Sequence, residues 1–115
     1  MQLAAARIWV RDLAVSREFY GSVLGLRSIW EYDFAVGYDV GKTLIVEVDD
    51  GAEPQAQFVG RFAGLSLRVD DIDETYRALS AKGVVFETAP EVMDWGGTLA
   101  HFRDPDGNVL TLLGD

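Results

Sequence analysis

The sequence predicts an α+β fold of two paired β-α-β-β-β modules, and three observations carry the prediction. Val10-Arg11-Asp12-Leu13 returns as Val69-Asp70-Asp71-Ile72, a V-x-D-[LI] pattern repeated at an offset of 59 residues. Gly25 and Gly83 follow the two aspartates by 13 and 12 residues, where a helix capped by each aspartate would meet a C-terminal glycine. Near the end of the chain, two apolar and β-branched runs flank Asp104-Pro105-Asp106-Gly107-Asn108, with Pro105 presetting φ and Gly107 free to take a positive φ, which is a hairpin. A duplicated supersecondary unit leaves one sheet face of each copy uncovered. Pairing of modules, within the chain or between two copies, would bury it.

Each element has its own warrant. Residues 3–10 alternate, with Ala4, Ala6, Ile8 and Val10 on one face and Leu3, Ala5, Arg7 and Trp9 on the other, so a strand is expected. Asp12 offers an N-cap, Phe19, Tyr20, Val23 and Leu24 recur at helical spacing, and Gly25 closes the helix. Strands are then predicted over 27–32, 34–40 and 43–49, with Gly41-Lys42 as the last turn. Residues 50–60 are small and polar and contain Pro54, which suits a surface linker.

The pattern then restarts. Leu65, Leu67 and Val69 alternate with Gly64, Ser66 and Arg68. Asp71 caps a helix whose Ile72, Tyr76 and Leu79 share a face, and Glu74 holds the partner position of a capping box. Strands over 84–88, 98–103 and 108–113 complete the second module. The expected organisation is one domain over 1–115, with module one at 1–50, a linker at 51–60 and module two at 61–115.

Composition narrows the function. Ten Lys and Arg against nineteen Asp and Glu give a net charge of −9, and no basic run opposes it, so a phosphate backbone would be repelled and nucleic acid is not expected as a partner. The same field mildly favours cationic ligands. With no cysteine, neither a thiolate metal site nor a Cys nucleophile is available. No stretch approaches the roughly 20 apolar residues of a membrane span, and no basic leader precedes an apolar run, so no membrane partner and a cytoplasmic location are expected.

The motifs Val10-x-Asp12-Leu13-x-x-Ser16-x-x-Phe19-Tyr20-x-x-x-Leu24-Gly25-Leu26, Val69-x-Asp71-Ile72 and Phe102-Arg103-Asp104-Pro105-Asp106-Gly107-Asn108 follow one another across nearly the whole chain. In them the sequence resembles the vicinal oxygen chelate superfamily, which includes glyoxalase I, extradiol dioxygenases, fosfomycin-resistance enzymes and bleomycin-resistance proteins. The resemblance implies a curved, cleft-enclosing mixed sheet formed by the paired modules. It also implies a divalent metal held by the first and last strands of each module, at positions that correspond here to Ala5, Glu47, Gly64 and Thr111. Only Glu47 is a strong ligand. His101, the single histidine, lies on a neighbouring strand with cleft-facing parity, and two such donors fall short of the three that a Zn, Ni, Mn or Fe site usually needs. No metal cofactor is therefore expected.

Alternation directs Arg7, Trp9, Glu47, Phe62, Ser66, Arg68, His101 and Thr111 toward the cleft, and these are the expected ligand-binding residues. Glu47 reads either as a ligand-contacting carboxylate or general base, or as a group paired with Arg7 or Arg68. His101 reads either as a general base or as a hydrogen-bonded structural residue. Trp9, Trp30, Trp95, Phe34, Tyr38 and Phe62 supply either an aromatic-lined pocket or a module or dimer interface. Asp104 to Asn108 reads as turn chemistry. The expected protein is a homodimeric, metal-free binder of an aromatic or cationic small organic molecule, resembling the bleomycin-resistance proteins. The rivals are a metal-dependent lyase or dioxygenase using Glu47 and His101, and an accessory subunit with no ligand.

Overall fold

The computed structural model describes residues 1–48 and 56–115. The chain gathers into two compact units, residues 1–61 with 105–108 and residues 62–104 with 109–115. Half of the linker expected at 51–60, residues 51–55, falls outside the described residues, and Ala56–Phe58 forms a single 3-10 turn.

In the first unit, β1 (Ala5–Trp9) runs parallel to β4 (Thr43–Glu47), which pairs antiparallel with β3 (Ala35–Asp39), itself antiparallel to β2 (Arg27–Tyr32). The ladder aligns Arg7, Ile45, Gly37 and Trp30 in one row and Trp9, Glu47, Ala35 and Tyr32 in the next. Residues paired in a ladder point to the same side, so these two rows share a face. The opposite face carries Ile8, Leu44, Val46, Val36 and Tyr38, all buried. Over that face lies the helical segment, where Tyr20 packs on Tyr38 with ring centroids 6.1 Å apart.

The predicted helix divides in two. α1 (Leu13–Arg17) starts on Asp12, whose carboxylate accepts the N–H groups of Ala14 and Val15, and the chain then widens into a π-helical turn over Glu18–Val23. There Leu24 N–H reaches the Phe19 carbonyl, five residues back, at 2.8 Å. The consecutive side chains of Phe19 and Tyr20 are both buried in this wider turn. Gly25 ends the segment with φ +72°, the left-handed conformation that its predicted capping role requires.

Two titratable groups report on the first sheet. Burial, followed by the negative charge of Glu31, pushes the Tyr38 phenol above its ordinary value, with the Arg17 cation acting in the other direction. Tyr38 is thus a core residue rather than part of an aromatic pocket. At the β3–β4 turn, Gly41 N–H and then Arg27 hold the Asp39 carboxyl below its usual range.

In the second unit, β5 (Phe62–Arg68) runs parallel to β9 (Val109–Gly114), and β8 (Thr98–Arg103) lies antiparallel beside β9. The short strands β6 (Val85–Phe86) and β7 (Glu91–Val92) both pair with β8. The sequence predicted one longer strand over 84–88; the structure has two two-residue strands on the same partner instead. α2 (Ile72–Ala81) is capped by Asp71 as expected, and it packs on the face formed by Ala100, Phe102, Leu110 and Leu112. Contact is close at Gly114, where an added Cβ would lie 2.8 Å from Ile72. Among the described residues no helix is long and apolar enough to cross a membrane.

Residues 105–108 do more than turn the chain. Asn108, 1% exposed, accepts the N–H groups of Gly60 and Arg61 on Oδ1 at 2.8 and 3.1 Å and donates from Nδ2 to the Trp9 carbonyl at 2.9 Å. Asp106 accepts from Arg11 through both backbone N–H and guanidinium, at 3.2 and 3.3 Å. Replacing Asn108 by Ala strands three backbone groups, and the expected loss is about 2–4 kcal/mol in urea unfolding. Asn108→Asp keeps the acceptor but turns an anion toward the Trp9 carbonyl, so it too is expected to destabilise; a variant as stable as the parent would contradict the clamp.

Candidate functional site

The sheet face opposite the helix in the first unit brings together three of the sequence-predicted residues. Arg7 donates from Nε and Nη2 to the two carboxylate oxygens of Glu47 at 2.6 and 2.9 Å, a bidentate pair. The two ends differ in environment: the Glu47 side chain is 9% exposed, while that of Arg7 is 57% exposed. The same guanidinium lies 5.3 Å from the Trp9 ring centroid, within cation–π range, and Trp9 in turn meets Phe58 at 6.2 Å. Glu47 is therefore an anion already held by a cation.

Aromatic rings extend this face along β2. Trp30 lies across Gly37, where any Cβ would come within 2.5 Å of the indole. Tyr32 lies 5.3 Å from Trp30 and stacks on Phe34 at 5.8 Å with the planes 10° apart. Tyr32 and Phe34 are exposed, so the ring series presents apolar surface to solvent. Tyr32 shares its parity with Trp30, a signal the sequence carries; Phe58 sits in a polar segment without periodicity and has no such signal. Trp95 is 67% exposed and folds over Gly97, in the second unit.

The sheet face opposite α2 gathers the other predicted residues. Ser66, Thr111 and His101 stand in one row across β5, β9 and β8. His101 Nδ1 is 2.7 Å from Thr111 Oγ1, and the Phe62 ring meets the imidazole edge-on at 5.9 Å. Arg68 is exposed and pairs with Asp115 at 2.9 Å, not with Glu47. Ser66 and Phe62 are exposed and His101 is half-buried, so this face is open to solvent.

The residues expected to line one cleft thus fall into two sets: Arg7, Trp9 and Glu47 in the first unit, and Phe62, Ser66, Arg68, His101 and Thr111 in the second. A separate apolar depression on the helix side of the first unit is lined by Val15, Phe19, Val23 and Pro105 and holds only Glu18 as a charged group. It lacks the convergent polar groups that orient a ligand. Among the described residues, no three His, Asp or Glu side chains gather where they could hold a metal ion.

Comparison with known proteins adds a family. The profile described as Glyoxalase/Bleomycin resistance protein/Dioxygenase superfamily matches residues 2–112. Uncharacterized protein YraH of Bacillus subtilis (strain 168) is 35% identical, over 97% of each chain. A bleomycin resistance protein of Klebsiella pneumoniae is 35% identical over 54% of this chain and 55% of its own. A crystal structure of a Glyoxalase/bleomycin resistance protein/dioxygenase superfamily member from Sphaerobacter thermophilus DSM 20745 superposes with a TM-score of 0.80 at 31% identity, covering 100% of this chain and 98% of that one.

The Arg7–Glu47 pair makes an asymmetric prediction. Arg7→Ala leaves a nearly buried carboxylate without its cation and is expected to cost about 1–3 kcal/mol in urea unfolding. Glu47→Gln leaves an exposed guanidinium in water and is expected to cost less, and the double variant less than the sum of the two. Equal losses from both single variants would refute the assignment.

Proposed function

The chain belongs to the Glyoxalase/Bleomycin resistance protein/Dioxygenase superfamily, and on that premise we propose that it binds a small organic molecule without a metal. The ligand class is aromatic or cationic. The observation that carries this reading is the bidentate Arg7–Glu47 pair, at 2.6 and 2.9 Å.

The divalent metal of the family's enzymes does not fit the residues present. Of the four positions to which the family resemblance assigns ligands, Ala5 and Gly64 offer no donor atom at all on their side chains. Glu47 could bind a cation only by giving up Arg7, and an Arg–carboxylate fork is among the stronger charge-assisted interactions available to it. Thr111 offers a neutral hydroxyl that already shares a hydrogen bond with His101. Hydroxyl and imidazole without carboxylate support make a poor site for the metals this fold employs.

What remains is a binding surface. Trp9 with Phe58, and Trp30 with Tyr32 and Phe34, give planar rings on which a planar or cationic group can stack. The overall charge of −9 adds a field that attracts cations. The likeness to the Klebsiella pneumoniae protein, which is named for bleomycin resistance, points to the same kind of ligand. The second copy that such a binder would use to cover its open sheet faces makes a homodimer part of the reading.

Metal-free bleomycin is the probe for this reading. Titration is expected to change tryptophan emission in a saturable way, with and without chelator, and Trp9→Ala is expected to weaken binding by about tenfold or more. One equivalent of Zn, Ni, Mn or Fe retained by protein purified without chelator, or a titration that responds only when such a metal is supplied, would overturn the metal-free reading.

A further inference from the structure

We infer that Thr111 is a positioning residue that holds neutral His101 with its proton on Nε2, so that the second unit presents a fixed hydrogen-bond donor to a carbonyl-type oxygen on the bound molecule. This rests on the binding function proposed above and names the polar group its ligand should carry.

Thr111 is 3% exposed, and its hydroxyl has one hydrogen-bond partner among the described residues, His101 Nδ1 at 2.7 Å. A hydroxyl can donate one proton and accept on its lone pairs, whereas a neutral imidazole donates from one nitrogen and accepts on the other. If Nδ1 carried the proton, Thr111 would accept it and its own O–H would be left buried without an acceptor. If Nδ1 carries the lone pair, Thr111 donates into it and no buried donor is orphaned. The second arrangement is the one favoured, because an unmade hydrogen bond in a buried donor is penalised more than a made one is rewarded. The imidazole proton then stands on Nε2, and no partner occupies that nitrogen among the described residues.

The neighbours suit such a donor. Ser66 stands in the same ladder row as Thr111 and His101 and is exposed, so its hydroxyl can serve the same ligand. Phe62 sets its ring edge-on to the imidazole at 5.9 Å, which limits the ring's rotation and offers an apolar flank to the ligand. Arg68, on the same face and paired among the described residues with the exposed Asp115 at 2.9 Å, adds positive charge near the row. A neutral N–H, a hydroxyl and a cation all favour an oxygen acceptor over a donor or a cation at this point.

Because His101 is the only histidine of the chain, its side-chain nitrogens can be read without assignment ambiguity. Long-range 15N–1H correlation spectra of 15N-histidine-labelled protein, recorded in mildly alkaline buffer where an ordinary imidazole is neutral, are expected to show Nε2 protonated and Nδ1 unprotonated. Thr111→Val keeps the shape and removes the hydroxyl; it is expected to give a mixture of tautomers, and Thr111→Ser to restore the single form. If Thr111→Val does not fold, Thr111→Ala, which also lacks the hydroxyl, makes the same comparison. A wild-type ring protonated on Nδ1, or a Thr111→Val spectrum identical to the wild type, would overturn the inference. The measurement needs no ligand, so a failure of bleomycin to bind would fall on the proposed function and not on the tautomer.

Discussion

The first unit depends on one buried amide. Strand β1 ends at Trp9 and the first stretch of the unit ends at Gly60 and Arg61, and in each place a backbone group finds its partner in one side chain. Asn108 meets all three with its single carboxamide, using both acceptor capacity and a donor, which no other side chain of its size can do. Trp9 is thereby fixed at its carbonyl and bridged to Val59. Fixing the end of β1 fixes its register on β4, and a slip of one residue would send Arg7 and Trp9 to the helix face and Ile8 to the open one. The chemistry of the candidate site follows from that register.

With the register held, alternation does the rest. Arg7 and Glu47 fall on adjacent strands on the same side, close enough for a fork, and Trp9 comes under the guanidinium. The carboxylate is nearly buried and the cation mostly exposed, so Glu47 is a fixed anion while Arg7 keeps one flank toward solvent. Gly37 makes room for the Trp30 indole to lie flat on the sheet, which carries the aromatic surface outward to Tyr32 and Phe34. A face of this kind can stack and can attract a cation, but its one strong anionic donor is already engaged.

Most of this was legible in the sequence where period and local chemistry agree. The repeated V-x-D-[LI] motif located both capped helices, and strand parity sent Arg7, Trp9, Glu47, Ser66, His101 and Thr111 to one cleft, whereas the ladders set the first three on a face of one sheet and the last three on a face of the other. What escaped was long-range. Asn108 read as part of a turn because its partners, Trp9, Gly60 and Arg61, are 99, 48 and 47 residues away in sequence. The π-helical turn escaped because Phe19 and Tyr20 fit a helical pattern as well as they fit the wider one. The strand pair β6 and β7 is too short for any periodicity to register, and Tyr38 could be placed in the core only once its neighbours across the sheet were known.

The two units share a topology and differ in what their open faces offer. Glu47 serves Arg7, and Thr111 serves His101. In both cases the side chain is spoken for by a neighbour on the next strand of its own sheet. A carboxylate at position 111 would replace the hydroxyl that lies against Nδ1, and it would leave Glu47 still paired with a guanidinium. A metal site in this fold needs its donors unpaired with one another and with cations, whereas a receptor for an organic molecule needs them held still. The pairings within these two faces hold Glu47 and Thr111 in place.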